Sequence, residues 1–298
     1  MKTFLITLKR NVKMFFKDKG LFFTSLITPL ILLVLYATFL SNVYKDSVNS
    51  VFATMGITLE DKILNGIAGG QLFSSLLAVS CVTVSFCSNM LMVQDKISGA
   101  KKDMLLSPAK RSTLALSYYV ATLVSTLIIS VVATIACTVY VRIVGWYMSF
   151  GDLMLVFLDV FILVMFGTAL SSVINFFLSS QGQISAVGSI VSSCYGFVCG
   201  AYMPLSSFSQ GLRDAVMFLP GTYGTSLIRN HTLNGVLTEL AKTCPEEALK
   251  GLKDAIDCNI YFFENQVELS TMYIVMLATI ALLITAYVLL NLFAKKSK

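Results

Sequence analysis

Few side chains in this chain could do chemistry. His231 is its only histidine. A lone histidine completes neither a Ser/His pair nor a metal site, so it reads as a surface or structural residue. Among the acids, Asp159 lies about two turns inside a long apolar stretch. A carboxylate in such a place is a candidate for substrate contact or proton relay. Arg142 falls at the same boundary, however, and an Asp159–Arg142 pair is the favoured reading. Five of the seven cysteines (Cys81, Cys87, Cys137, Cys194 and Cys199) sit among apolar residues, without zinc-ligand spacing, and read as small packing groups. Cys244 and Cys258, 14 positions apart in a polar region, would bridge in an oxidising compartment or else stay as two free thiols. There is no G-x-x-x-x-G-K-[ST] and no H-E-x-x-H, so no phosphate loop for ATP and no zincin site. No catalytic residue and no metal centre is expected.

The elements that carry these residues are set by where charge is missing. The chain has 298 residues, 56% hydrophobic and 13% charged, with mean hydropathy +0.79. Soluble domains carry about 25% charged residues, so this chain cannot cover a water-facing surface. Asp, Glu, Lys and Arg are absent from 20–44, 63–94, 112–141, 160–212 and 269–294. A helix crosses the hydrocarbon with about 20 residues. Four of these runs fit one span each. The fourth in order, 53 residues long, fits two around the break Ser179-Ser180-Gln181-Gly182-Gln183. The expected fold is therefore an all-α membrane protein, a single transmembrane domain over 1–298. Its six transmembrane helices fall near 21–41, 67–93, 114–141, 153–178, 184–204 and 271–293. A membrane barrel would alternate apolar and polar residues, which Leu30-Ile31-Leu32-Leu33-Val34-Leu35 does not. The first run is too long for a signal peptide, so that span is expected to be retained.

Six spans put both termini on one side. That side, with the 94–113 loop, holds 14 of the 22 basic residues and only Asp18, Asp95 and Asp103 as acids, net +11. The other side is net −5. Basic loops face the cytoplasm, so the termini and the loop are expected there, in a multi-pass protein of the cell membrane. The total of +6 reflects this topology and does not point to nucleic acid, since no aromatic-interleaved basic groove accompanies it.

Residues 1–20 place Phe4, Leu5, Leu8, Val12, Phe15 and Phe16 at helical spacing between basic residues. They predict an amphipathic helix along the inner membrane surface, either a plain anchor or an elbow that also holds a cytoplasmic partner. Segments 42–66 and 205–270 are expected outside. The second has apolar patches (Leu212, Val216, Phe218, Leu219, then Tyr223 to Val236) that predict short helices dipping back into the bilayer, followed by a solvated part at 239–268. Irregular backbone at that depth must line a cavity or be buried in protein. Gly196 and Gly200 form a G-x-x-x-G, suited to packing within the chain or to a subunit interface.

The 94–113 loop is the most specific stretch. It reads Gln94-Asp95-Lys96-Ile97-Ser98-Gly99-Ala100-Lys101-Lys102-Asp103-Met104-Leu105-Leu106-Ser107-Pro108-Ala109-Lys110-Arg111. Lys101 to Leu106 makes a short helix, charged on one side and apolar on the other, and Ser107-Pro108 stops it. Taken alone it is a basic connector or a docking helix.

The loop resembles that of the permease subunits of type-2 ABC exporters, which have an acid, a Gly-Thr-like pair, Leu-Leu, Ser/Thr-Pro and a basic residue between their second and third spans. Here these are Asp95, Gly99-Ala100, Leu105-Leu106, Ser107-Pro108 and Lys110-Arg111, with Ala100 in place of Thr. A second similar region is Gly200-Ala201-Tyr202-Met203-Pro204-Leu205, then Phe218-Leu219-Pro220-Gly221-Thr222-Tyr223 and Arg229. The resemblance covers nearly the whole chain. It implies a non-enzymatic half-transporter that pairs with a second copy or a paralogue in the bilayer. Separate cytosolic ABC ATPase subunits would bind ATP and magnesium, so no cofactor is expected on this chain. It further implies that Asp95, Gly99, Lys101, Lys102, Leu105, Leu106 and Pro108 form an ATPase-coupling helix. The pathway would lie at the dimer interface, lined mainly by the second and fifth spans, with Gln71, Ser75, Asn89, Ser192, Tyr195 and Phe197 as candidate lining and Pro204, Pro220 and Tyr223 at an outer gate. The exported substrate would be amphipathic: a drug, peptide or lipid. The alternative reading is a membrane scaffold, immunity or sensor protein that binds without transport. An intramembrane enzyme has too few candidate groups.

Overall fold

The computed structural model describes residues 2–53, 59–106 and 110–293. Among these, twelve α-helices and one two-stranded hairpin follow one another. Helix α1 (Lys2–Lys17) leads through Asp18, whose carboxylate caps the next helix by accepting the Leu21 N–H. Helix α2 (Lys19–Leu35) passes through a π-helical turn at Tyr36–Leu40 into α3 (Ser41–Ala53). Next come α4 (Asp61–Ile97), α5 (Ala100–Leu106), α6 (Arg111–Val144), α7 (Phe150–Phe177) and α8 (Gln181–Val198). Then follow α9 (Gln210–Val216), α10 (Pro220–Leu240), α11 (Glu246–Ala255), the hairpin β1 (Tyr261–Phe262) with β2 (Asn265–Gln266), and α12 (Leu269–Phe293).

Five helical stretches are long and apolar enough to cross a membrane: Lys19–Ser50, Asp61–Ile97, Arg111–Val144, Phe150–Phe177 and Leu269–Phe293. They match five of the six expected spans, mostly with longer ends. The first runs on to Ser50 because α3 continues its axis and packs on α4. The segment expected at 184–204 is shorter: α8 opens on the polar Gln181-Gly182-Gln183 and ends at Val198. Gly200 closes it in the left-handed region (φ 71°), and the Ala201 and Tyr202 N–H groups both return to the Gly196 carbonyl. Glycine adopts that geometry without a Cβ penalty.

Helix α4 is the axis of the bundle, buried along nearly its whole length and packed by α2, α3, α6, α7, α8 and α10. Its small residues permit this. A Cβ on Gly167 of α7 would meet the α4 backbone at 3.0–3.1 Å, so the two helices touch through glycine. The main apolar core joins α2, α4, α6, α7, α10 and α12 through Leu32, Phe73, Leu77, Cys137, Leu163, Leu227 and Met276.

Helix α10 is more deeply placed than the sequence suggested. It is buried against α4, α7 and α12 over most of its 21 residues. Pro220 supplies its first turn, where a missing N–H costs nothing. Tyr223 pins that turn by donating to the Met217 carbonyl at 2.7 Å.

Candidate functional site

Two places bring the chemistry-bearing residues together, one at each end of the bundle. The first lies where α4 ends. Asp95 is 4% exposed. Its carboxylate accepts from Arg10 of α1, with Nη2 at 3.0 Å from Oδ1 and Nη1 on Oδ2, and from the Tyr118 hydroxyl of α6 at 2.6 Å. Asp95, which the resemblance grouped with the coupling residues, thus ties three helices together and faces inward. The α4 terminus sits beside the basic α1, and a buried carboxylate must find donors. Lys96 Nζ donates to the carbonyls of Phe176 (3.1 Å) and Leu178 (2.7 Å), closing the C-terminal end of α7.

Gly99 then turns the chain at φ 86° into α5, with its carbonyl accepting from the Lys102 and Asp103 N–H groups. The two faces of α5 differ. Met104 and Leu105 pack against a cluster of Met92, Leu114, Ala115, Tyr118, Tyr119, Ala169 and Tyr287, drawn from α4, α6, α7 and α12. Lys102, Asp103 and Leu106 face out, Leu106 being 86% exposed. Burial lowers the Lys101 ammonium to about 8, helped by repulsion from Lys96 and Arg111 and opposed by Asp95. Pro108, with Ser107 and Ala109, lies outside the described residues.

The second place lies at the opposite end. Arg229 of α10 is 3% exposed and bonds Asp257 Oδ2 at 3.1 Å, the Gly200 carbonyl at 2.9 Å and Ser75 Oγ at 3.4 Å. Asp257 also accepts the Leu205 N–H on both oxygens, at 3.1 and 2.9 Å. It takes φ 53° to do so, a conformation aspartate tolerates better than most residues. Burial pushes its carboxyl up, to about 6, against the pull of Arg229 and the Leu205 N–H. The Tyr36 hydroxyl donates to the Ala201 carbonyl at 2.9 Å and its ring stacks on Tyr44. The Gln71 amide donates to the Ile256 carbonyl at 3.2 Å. Together these bonds hold segment 200–205 and the loop after α11 onto α4 and α10. Beside them opens a cavity of about 560 Å³, with Phe39, Leu40 and Val43 on its apolar wall and Gln71, Arg229 and Asp257 on its polar wall.

The sequence-derived candidates separate on this frame. Gln71 and Pro204 line the cavity. Ser75 lies behind Arg229. Asn89 is buried inside the chain, donating to Ser171 and Ser172 Oγ at 3.0 Å and accepting from Thr122. Ser192 is half-buried on α8. Phe197 is 50% exposed, edge-on to Tyr202. Tyr195 covers the start of α10, so close that a Cβ on Gly221 would meet its hydroxyl at 2.6 Å. Pro220 and Tyr223 build that same turn. Cys244 and Cys258 are free thiols that pack against one apolar cluster around Leu237, Leu240 and Leu252.

The favoured Asp159–Arg142 pair does not form. Asp159 is bound by His231 Nδ1 at 2.6 Å and the Tyr273 hydroxyl at 2.5 Å, while the Arg142 guanidinium lies over the Trp146 ring, 5.8 Å from its centroid. His231 is 8% exposed and is not a surface residue. The cause is the depth of α10, which carries His231 into the bundle beside α7.

A family model described as ABC-2 type transporter matches residues 2–232. The chain belongs to that family. It is a multi-pass membrane protein and the permease subunit of an ABC transporter, a family whose members act with an ABC ATPase. No curated protein matches the chain. The matched span takes in the α4–α5–α6 turn and Arg229 of the permease but not Asp257. Arg229 had a signal in sequence, as the only charge between Asp214 and Glu239. Asp257 had none, being one acid among several in its loop. Arg10 and Tyr118 were equally hidden, because their partner Asp95 is 85 and 23 positions away.

Proposed function

We propose that this permease is one half of an ATP-driven exporter. In this reading α8 is the fifth of six spans, and both termini and α5 lie in the cytoplasm at the plasma membrane. Helix α1 lies along the inner membrane surface, and 199–219 with α10 forms a re-entrant outer segment. A second copy or a paralogue faces α8, whose surface is largely unpartnered: Ile190 and Phe197 stand exposed and only Ile184 and Gly196 are buried. The pathway runs between the two chains past Ser192 and Phe197. The cavity beside Arg229–Asp257 receives substrate at the outer end, and its mainly apolar wall with one polar side favours an amphipathic drug, peptide or lipid.

One observation carries this reading: the two-faced α5. Its outward residues offer Lys102, Asp103 and the bare Leu106 to a partner's groove. Its inward residues Met104 and Leu105 rest on the cluster that joins α4, α6, α7 and α12. A push on α5 therefore bears on four helices at once. The ATPase partner supplies nucleotide and magnesium, and closure of its two copies supplies the push.

The test is the Leu106→Asp variant purified with its ATPase in nanodiscs. Leu106 touches little of its own chain, so melting stays within about 0.5 kcal/mol of the parent. Substrate-stimulated ATP hydrolysis and co-purification fall at least tenfold. Unchanged stimulation would sink the coupling role of α5.

A further inference from the structure

Helix α1 carries five basic residues and no acid. Arg10 is engaged by Asp95. Lys9 and Lys13, one turn apart, are both exposed. They edge a groove of about 620 Å³ between α1 and α6, walled by Leu5, Leu8 and Val12 and floored by Val124. From Val124 an apolar stripe runs along α6. Ile128, Val131 and Ile135 follow at spacings of four, three and four, each at least 36% exposed. That spacing puts them on one helix face. The stripe rises about 17 Å, close to half of the roughly 30 Å hydrocarbon thickness.

We propose that this groove is a binding site for one anionic glycerophospholipid. Lys9 and Lys13 take the phosphate, the groove takes the glycerol backbone, and an acyl chain lies along Val124, Ile128, Val131 and Ile135. The sign of the headgroup follows from charge. Two lysines without an acidic partner repel a choline or ethanolamine ammonium and attract a net negative head. A bound lipid fills the wedge between the first helix and the bundle, beside the Arg10–Asp95 contact. The inference goes beyond the exporter reading and does not depend on it.

Native mass spectrometry on the delipidated full chain, titrated with phosphatidylglycerol or phosphatidylcholine, tests it. The expected result is one tight phosphatidylglycerol, held at least tenfold better than phosphatidylcholine. Lys9→Gln/Lys13→Gln should lose that preference, while Lys2→Gln/Lys17→Gln, with the same charge change outside the groove, should keep it. Val124→Trp, which fills the floor without touching charge, should weaken both lipids at unchanged thermal stability. Equal binding of the two lipids would overturn the proposal. So would equal losses in the two double variants, which would mean a diffuse basic surface, or full binding to Val124→Trp.

Discussion

His231 and Tyr273 hold opposite oxygens of a single carboxylate, that of Asp159, at 2.6 and 2.5 Å. His231 comes from α10, Asp159 from α7 and Tyr273 from α12, so one acid joins α10 to two long helices of the bundle. About two turns closer to the start of α7, Asn234 donates to Asp152 at 2.7 Å and repeats the α7–α10 tie. Together with Arg229 on Ser75 and Thr232 on the Gly70 carbonyl of α4, these polar bonds fix the register of α10.

Breaking the first tie should be costly, and erasing it should not. His231→Leu leaves the buried carboxyl with Tyr273 as its remaining partner and is expected to lose about 3 kcal/mol. Asp159→Leu combined with His231→Leu removes both partners and should recover most of that loss. Unfolding in mixed detergent micelles gives the comparison. Two single losses that simply add in the double variant would mean that the pair is not coupled.

Arg229 and Asp257 should control access to the far-end cavity. Asp257→Ala frees the Leu205 N–H and leaves Arg229 to Gly200 and Ser75 alone. A cysteine placed at Ser206, which lines the cavity, should then react with a membrane-impermeant maleimide several times faster than in the parent. Asp257→Asn keeps two acceptor contacts and should fall between. Equal rates in all three would show that the pair does not hold this segment shut.

Lys101 gives a pH signature at the other end. Its native value of about 8 lies below the usual 10.5. Between those values the unfolded chain binds a proton that the native chain lacks, so stability rises with pH across roughly 8 to 10.5 and is flat in this term below 8. The Lys101→Met variant should flatten that rise. At pH 8.5 Lys101 should also be reductively methylated faster than the exposed Lys102, because more of it is uncharged. An acidic partner seated on α5 would restore its charge and protect it. Equal methylation of the two lysines would contradict a lowered Lys101.

Much of the architecture was legible in one dimension. A charge-free run of 25 to 53 residues has no stable home but a bilayer or a protein core, and α2, α4, α6, α7 and α12 fall where those runs lie. The short helix α5, expected at Lys101 to Leu106, was legible for local reasons, since its charged and apolar sides and the proline after it act within a few residues of chain.

The sequence by itself therefore determined how much of this permease is apolar helix, and where its one specific loop lies. Tertiary structure alone decided which way each polar side chain turns. Asp95 went inward to Arg10, Asp159 to His231 rather than Arg142, and Leu105 inward while its neighbour Leu106 went out. Hydropathy measures how far a segment avoids water, and it is blind to azimuth around a helix and to partners 72 or 85 residues away. Those are set only when helices pack and every buried donor and acceptor must be matched.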